Sequence, residues 1–188
     1  KYSIRKYNGN EANESFKVIA NIHKKIIDTG FLSSFSDHIL SELYRAIAKN
    51  KSASLIVCHD ASDSIVGFIA ISFSTKSFYK SFLLGRGLLL APYLIGRIFS
   101  IKFLKKLFET LTYPLRKDKE SKIEQDLDSE ILNFCVVNQV QGKGVGSLLF
   151  FKAIKEFDDN LVSTIKIVTG SNQKSAHNFY EKHGAVLI

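Results

Sequence analysis

Val136-Val137-Asn138-Gln139-Val140-Gln141-Gly142-Lys143-Gly144-Val145-Gly146-Ser147-Leu148-Leu149 is the stretch on which the reading of this chain turns. An extended apolar run enters it, three glycines turn it and an amphipathic segment leaves it, which is the pattern of a strand, a tight loop and a helix start. Such a loop aims unpaired backbone N–H groups at one point, where the helix dipole also favours negative charge, so it suits a phosphate or pyrophosphate. The glycines at 142, 144 and 146 miss the third glycine of the dinucleotide pattern G-x-G-x-x-G, and G-x-x-x-x-G-K-[ST] is absent. The spacing that fits is Gln/Arg-x-x-Gly-x-Gly/Ala, met by Gln141, Gly144 and Gly146. Taken alone, the loop also reads as a turn whose glycines only permit φ > 0 or close packing.

Working outward, Asp128 to Val137 reads as a strand through Ile131, Leu132, Phe134, Cys135, Val136 and Val137. The segment after the glycines carries Leu148, Leu149, Phe150, Ala153, Ile154 and Phe157 at helical spacing, and Asp158-Asp159-Asn160 closes it. A strand over Thr164–Thr169, a helix over about Gln173 to Lys182 with Gly184 as its C-cap, and the start of a strand at Ala185–Ile188 follow. Toward the N-terminus come a strand at Tyr2–Tyr7, a helix over about 11–28, a second helix capped by Ser36, and a hairpin of strands at Ser54–Cys58 and Ile65–Phe73. The order β-α-α-β-β, an insertion, then β-α-β-α-β predicts an α/β chain: a mixed central sheet flanked by helices, with one parallel crossover, forming a single domain over 1–188.

The totals agree with a globular domain, being 45% hydrophobic and 23% charged over 188 residues. Cys58 and Cys135 sit in apolar runs, which points to buried thiols in a reducing, cytoplasmic setting and leaves too few ligands for a zinc site. A chain that opens on Lys1 and holds no Met reads as a piece of a longer one.

The net charge of +8 is concentrated. Residues 76–122 hold 11 Lys and Arg against three acids, so the remainder is balanced. Within this insertion the uncharged run 87–96 is too short to cross a membrane. Beyond Pro92, a helix would place Lys102, Lys105 and Lys106 opposite Leu94, Ile98, Ile101, Leu104 and Phe108. That face suits an anionic membrane surface, and it suits equally a helix packed on its own domain. Nucleic acid ranks low, because the aromatics of this segment fall at core positions.

With this order and these residues together, the sequence resembles the GNAT superfamily of acetyl-CoA-dependent N-acetyltransferases over nearly the whole chain outside 76–122. Gln141-x-x-Gly144-x-Gly146 is similar to the family's acyl-CoA loop, and Phe179-Tyr180-Glu181-Lys182-His183-Gly184-Ala185 to its F-Y-E-K-x-G-F signature. The resemblance implies acetyl-CoA as acyl donor and no metal. It implies a pyrophosphate on the N–H groups of Gly142, Lys143, Gly144, Val145, Gly146 and Ser147, and a pantetheine arm along the free backbone of Phe134, Cys135, Val136 and Val137. Cys135 would then be a pocket wall. Glu130, 11 residues before Gln141, would take the proton from the amine, often through water, and Tyr180 would give one to the leaving thiolate.

There are departures from the pattern. Asn172 lies eight residues before Tyr180, one more than usual for the family's cofactor-contacting asparagine, and Gln173 holds the usual place. Ala185 replaces the aromatic after the glycine, and the closing strands look short, so a partner chain, such as a second copy in a homodimer, or further residues could complete the sheet. The acceptor expected from this reading is a small-molecule primary amine, such as an amino sugar or sugar nucleotide. The competing reading is a non-catalytic GNAT-fold module, docked on a membrane or another anionic surface through the insertion.

Overall fold

A computed structural model of the chain describes residues 1–27, 32–82, 84–85, 127–170 and 173–188. The elements in order are β1 (Ser3–Tyr7), α1 (Asn13–Ile26), a 3-10 turn (Leu32–Ser34), α2 (Asp37–Lys49), β2 (Ala53–His59), β3 (Ile65–Ser72), α3 (Thr75–Phe82), β4 (Glu130–Val136), a second 3-10 turn (Asn138–Val140), α4 (Val145–Asp159), β5 (Lys166–Ile167) and α5 (Lys174–Lys182). The amphipathic helix expected beyond Pro92, with Lys102, Lys105 and Lys106, lies outside the described residues.

The sheet runs β1-β2-β3-β4-β5, with antiparallel pairs up to β4 and a parallel pair β4-β5. Every residue of β2 is buried, because both faces of the sheet are covered. Leu55 and Val57 pack toward Phe16, Ile19, Leu40 and Tyr44 of α1 and α2. Ile56 and Cys58 pack toward Val145, Leu149, Ala153 and Phe157 of α4. The helical spacing of these apolar residues is what brings each helix face onto the sheet.

Local chemistry sets the helix ends. Ser36 Oγ accepts from Ile39 N at 3.4 Å and opens α2. Gly184, at φ 90°, closes α5 with two backbone bonds, Gly184 N to Glu181 O and Ala185 N to Tyr180 O, both 3.0 Å. Asp128 has a role that local pattern does not show. Its carboxylate accepts from Ser74 Oγ (2.6 Å) and Lys76 N (2.9 Å), and its carbonyl accepts from Thr75 N (2.6 Å). It therefore caps α3 from 54 residues further along the chain and ties the two ends of the insertion together.

Two expectations need correction. The strand read over Thr164–Thr169 pairs only at Lys166 and Ile167, and Ala185–Ile188 forms no strand at all. An extended apolar run becomes a strand only where a neighbour accepts its backbone bonds, and none of the described residues flanks this end of the sheet.

Candidate active site

The brevity of β5 makes the site. β4 meets β5 at Glu130 and Ile131 and then departs from it. At that point β4 carries a bulge: Ile131 pairs with Ile71 and Asn133 with Ala70, leaving Leu132 as the extra residue. The bulge changes which peptides face which way. Before it, Ser129 O accepts from Lys166 N at 2.8 Å, so odd-numbered residues address β5. After it, Val137 N donates to Val66 O at 3.0 Å, so odd-numbered residues address β3, and antiparallel alternation turns Phe134 and Val136 toward the gap. Gln141 Nε2 reaches back into that gap and donates to Val136 O at 2.9 Å and to Asn138 Oδ1 at 3.1 Å.

The gap opens as a cleft of about 730 Å³. One wall is β4, from Ile131 to Phe134. The other runs through Val168, Thr169, Gly170 and Gln173 to Tyr180, and the C-terminal turn of α1 (Lys25, Ile26, Ile27) overhangs it. Among the described lining residues only Lys25 is charged.

The glycine loop stands at one end of β4. Gly142 (φ 75°) and Gly144 (φ 83°) hold left-handed backbone conformations that a side chain disfavours, and Gly144 is the residue from which α4 starts. The helical ladder begins with Leu148 N to Gly144 O at 3.0 Å, so the N–H groups of Val145, Gly146 and Ser147 project from the helix end. A Cβ on Gly146 would stand 3.3 Å from the Phe179 ring, so this glycine lets α5 lie against the start of α4. The loop thus joins both readings its sequence allowed: strained turn, tight packing and N–H cradle are one structure.

Tyr180 lines the cleft with its ring held by Phe179, Phe150 and Phe134 at centroid distances of 5.5, 6.0 and 6.4 Å. Burial, and secondarily the nearby Cys135 sulfur, push its pKa up to about 12, so it is a phenol with a proton to give at physiological pH. Glu130 is half-buried at the closed end of the gap, one residue before the cleft lining begins. Burial raises its pKa, and the Lys166 ammonium pulls it down by less. Cys135 is buried and held as a thiol, with a pKa pushed up to about 12 by burial, so it is no nucleophile. Asn172 lies outside the described residues.

Comparison with known proteins follows this geometry. Residues 121–186 match the model of the acetyltransferase (GNAT) domain family. Over this segment the chain is similar to the GNAT acetyltransferase family. Its fold is similar to that of the aminoglycoside 6'-N-acetyltransferase of Acinetobacter baumannii (TM-score 0.60, 6% identity, 100% of this chain and 92% of that one). It is similar also to the ribosomal-protein-alanine N-acetyltransferase of Brucella melitensis biovar Abortus 2308 (TM-score 0.56, 11% identity, 100% and 93%). A third likeness is to the glucosamine N-acetyltransferase region of a fungal multi-domain GH3 beta-N-acetylglucosaminidase (TM-score 0.55, 14% identity, 98% of this chain and 17% of that one). No curated protein matches by sequence.

The match to the GNAT family implies acetyl-CoA as the acyl donor of this chain. Its residues fit that donor: projecting N–H groups of α4 can take a pyrophosphate, and the turned-out peptides of Phe134 and Val136 can bond an extended arm. Gln173, which holds the usual place of the family's asparagine, lines the cleft, and Lys25, Asn133, Asn138, Ser175 and Ala176 line it without a signal in the sequence. They come together from α1, β4 and α5, and no motif spans that distance.

Proposed function

We propose that this chain acetylates the primary amine of a small molecule, an amino sugar or sugar nucleotide before a peptide amine, with Glu130 as proton acceptor and Tyr180 as proton donor. The observation that carries the reading is the departure of β4 from β5 at Leu132, with Phe134 and Tyr180 both lining the cleft that this opens. An ammonium has no lone pair, so the acceptor must lose a proton before its nitrogen can attack the thioester carbonyl. Glu130, whose pKa is raised by burial and so better matched to a general base than a free carboxylate, takes that proton through water. The C–S bond breaks as the amide forms, and Tyr180 hands its proton to the sulfur. The donor is held by the Gln141–Ser147 cradle, with the Cys135 side chain as apolar wall.

Charge in the cleft favours the ranking of acceptors. Among the described lining residues Lys25 is the one charged group, with Glu130 one residue outside the lining, and a lysine over the cleft favours an amine that also carries phosphate or carboxylate. Calorimetric titration with acetyl-CoA tests the donor, with binding in the micromolar range expected. Release of free thiol is then followed with glucosamine 1-phosphate, a nucleotide-linked amino sugar, an alanine-ended peptide and kanamycin. A rate with kanamycin above that with the phosphorylated amines would overturn the acceptor reading, and no thiol release with any amine while acetyl-CoA binds would favour a non-catalytic module.

A further inference from the structure

Glu130 stands where a strand is least secure. It is the first residue of β4, and its pairings with Ser72 of β3 and Lys166 of β5 open both ladders. β5 is only 2 residues long, and the bulge at Leu132 interrupts the β3 ladder just beyond Glu130. The end of a strand frays unless contacts outside the ladder hold it. Such contacts surround the two residues before Glu130. Asp128 is bound to α3: its carboxylate accepts from Ser74 Oγ at 2.6 Å and Lys76 N at 2.9 Å, and its carbonyl from Thr75 N at 2.6 Å and Thr75 Oγ1 at 2.8 Å. Ser129 is buried and bound toward β5, its Oγ donating to Thr164 O at 2.6 Å and its carbonyl accepting from Lys166 N at 2.8 Å. α3 is a firm anchor for this clasp, because Thr75 is buried and Phe78 is buried in the same core as Phe16 and Leu55.

We propose that Asp128 is a positioning residue for Glu130, tying the entry of β4 to α3 so that the carboxylate keeps its place at the closed end of the gap. This inference rests on the reading of Glu130 as proton acceptor. A proton acceptor acts only within hydrogen-bond reach of the amine or of a water between them, and its geometry has to be held to within about 0.5 Å. One residue separates Asp128 from Glu130, about 7 Å of extended chain, so a shift of the first is passed to the second except as the Ser129 bonds absorb it. Asp128 is not among the residues that line the cleft. Its part in the reaction is therefore carried through the backbone, and the loss of its carboxylate leaves the donor's site intact.

Thiol release from acetyl-CoA is followed with whichever of glucosamine 1-phosphate, a nucleotide-linked amino sugar, an alanine-ended peptide and kanamycin is turned over fastest. Asp128→Ala should lower kcat/KM for the amine by about tenfold, since small misplacements of a reacting group carry losses of this order. The Kd for acetyl-CoA should stay within about twofold. Asp128→Asn should recover most of the rate, because an amide can accept from Lys76 N while donating to Ser74 Oγ. The deciding measurement is a double-mutant cycle with Glu130→Gln, which has no carboxylate left to place. In that background Asp128→Ala should cost less than about twofold. An equal loss in both backgrounds, or no loss in the parent, overturns the positioning role and leaves Glu130 standing. If Asp128→Ala does not fold, Ser74→Ala, which removes one bond of the clasp, is put through the same cycle and judged in the same way. An unchanged rate in Glu130→Gln, or no turnover of any amine, overturns the reading of Glu130 and the role of Asp128 with it.

Discussion

Tyr180→Phe removes one oxygen from the cleft and leaves its packing in place. The three ring neighbours, at 5.5 to 6.4 Å, contact carbon atoms that phenylalanine retains, and the hydroxyl makes no hydrogen bond to the described residues. Stability should therefore change by less than about 1 kcal/mol, or roughly 3 °C in Tm for a chain of this size. The chemical cost is larger. With its pKa near 12, the phenol is fully protonated at pH 8, and in the proposed mechanism it gives a proton in every turnover. General acid catalysis is worth ~10²–10⁴-fold, so kcat should fall at least about 10²-fold, which is about 2.7 kcal/mol on the barrier. The Michaelis constant for acetyl-CoA should stay within about twofold, since uniform donor binding is untouched. Thiol-release kinetics at saturating donor and acceptor, paired with a melting curve, give both numbers. A kcat within threefold of the unaltered protein, at unchanged Tm, would refute the assignment, and a large loss of Tm would show that the hydroxyl is structural.

Glu130→Gln should lower kcat/KM by ~10² or more. Because a base must be ionised, the unaltered enzyme keeps its activity above the raised Glu130 pKa and loses it as pH falls through that value; a pH–rate profile in which the variant retains the same acid limb counts against Glu130. Gly67→Ala would place a Cβ 2.8 Å from Cys135 O and 3.3 Å from Val136 Cα, and backbone on both sides of the β3-β4 ladder must move. The expected cost is about 1–3 kcal/mol, or a Tm lower by roughly 3–10 °C, and a melting curve superimposable on that of the parent would show that the ladder yields more easily than this. His23 is buried against Tyr44, and burial lowers its pKa to about 4 from 6.5. Between those values the unfolded chain binds a proton that the native chain does not, so this residue costs stability as pH falls from about 6.5 to about 4, up to roughly 3 kcal/mol, and costs nothing above it. Urea midpoints at pH 7 and pH 4.5 should converge in His23→Gln relative to the parent; an equal drop in both chains would clear His23.

The amino-acid sequence by itself determined the succession of strands and helices up to α5 apart from α3, the helix start that follows the glycine loop, and the closures at Ser36 and Gly184. Those features are written in neighbouring residues: apolar periodicity, a capping oxygen, a glycine that accepts φ > 0. Only the tertiary structure decided what depends on pairing across the chain. The apolar runs at Thr164–Thr169 and Ala185–Ile188 look like strands, yet a strand exists only as far as a neighbour bonds it, and that limit opened the cleft. The bulge at Leu132 reversed which peptides face the gap, so the turned-out groups belong to Phe134 and Val136, while Cys135 and Val137 address β3. Asp128 on α3, Lys25 over the cleft and Ser147 against His183 are contacts between residues dozens of positions apart. Sequence carries such contacts only as the sum of every packing choice between them, and the fold is what evaluates that sum.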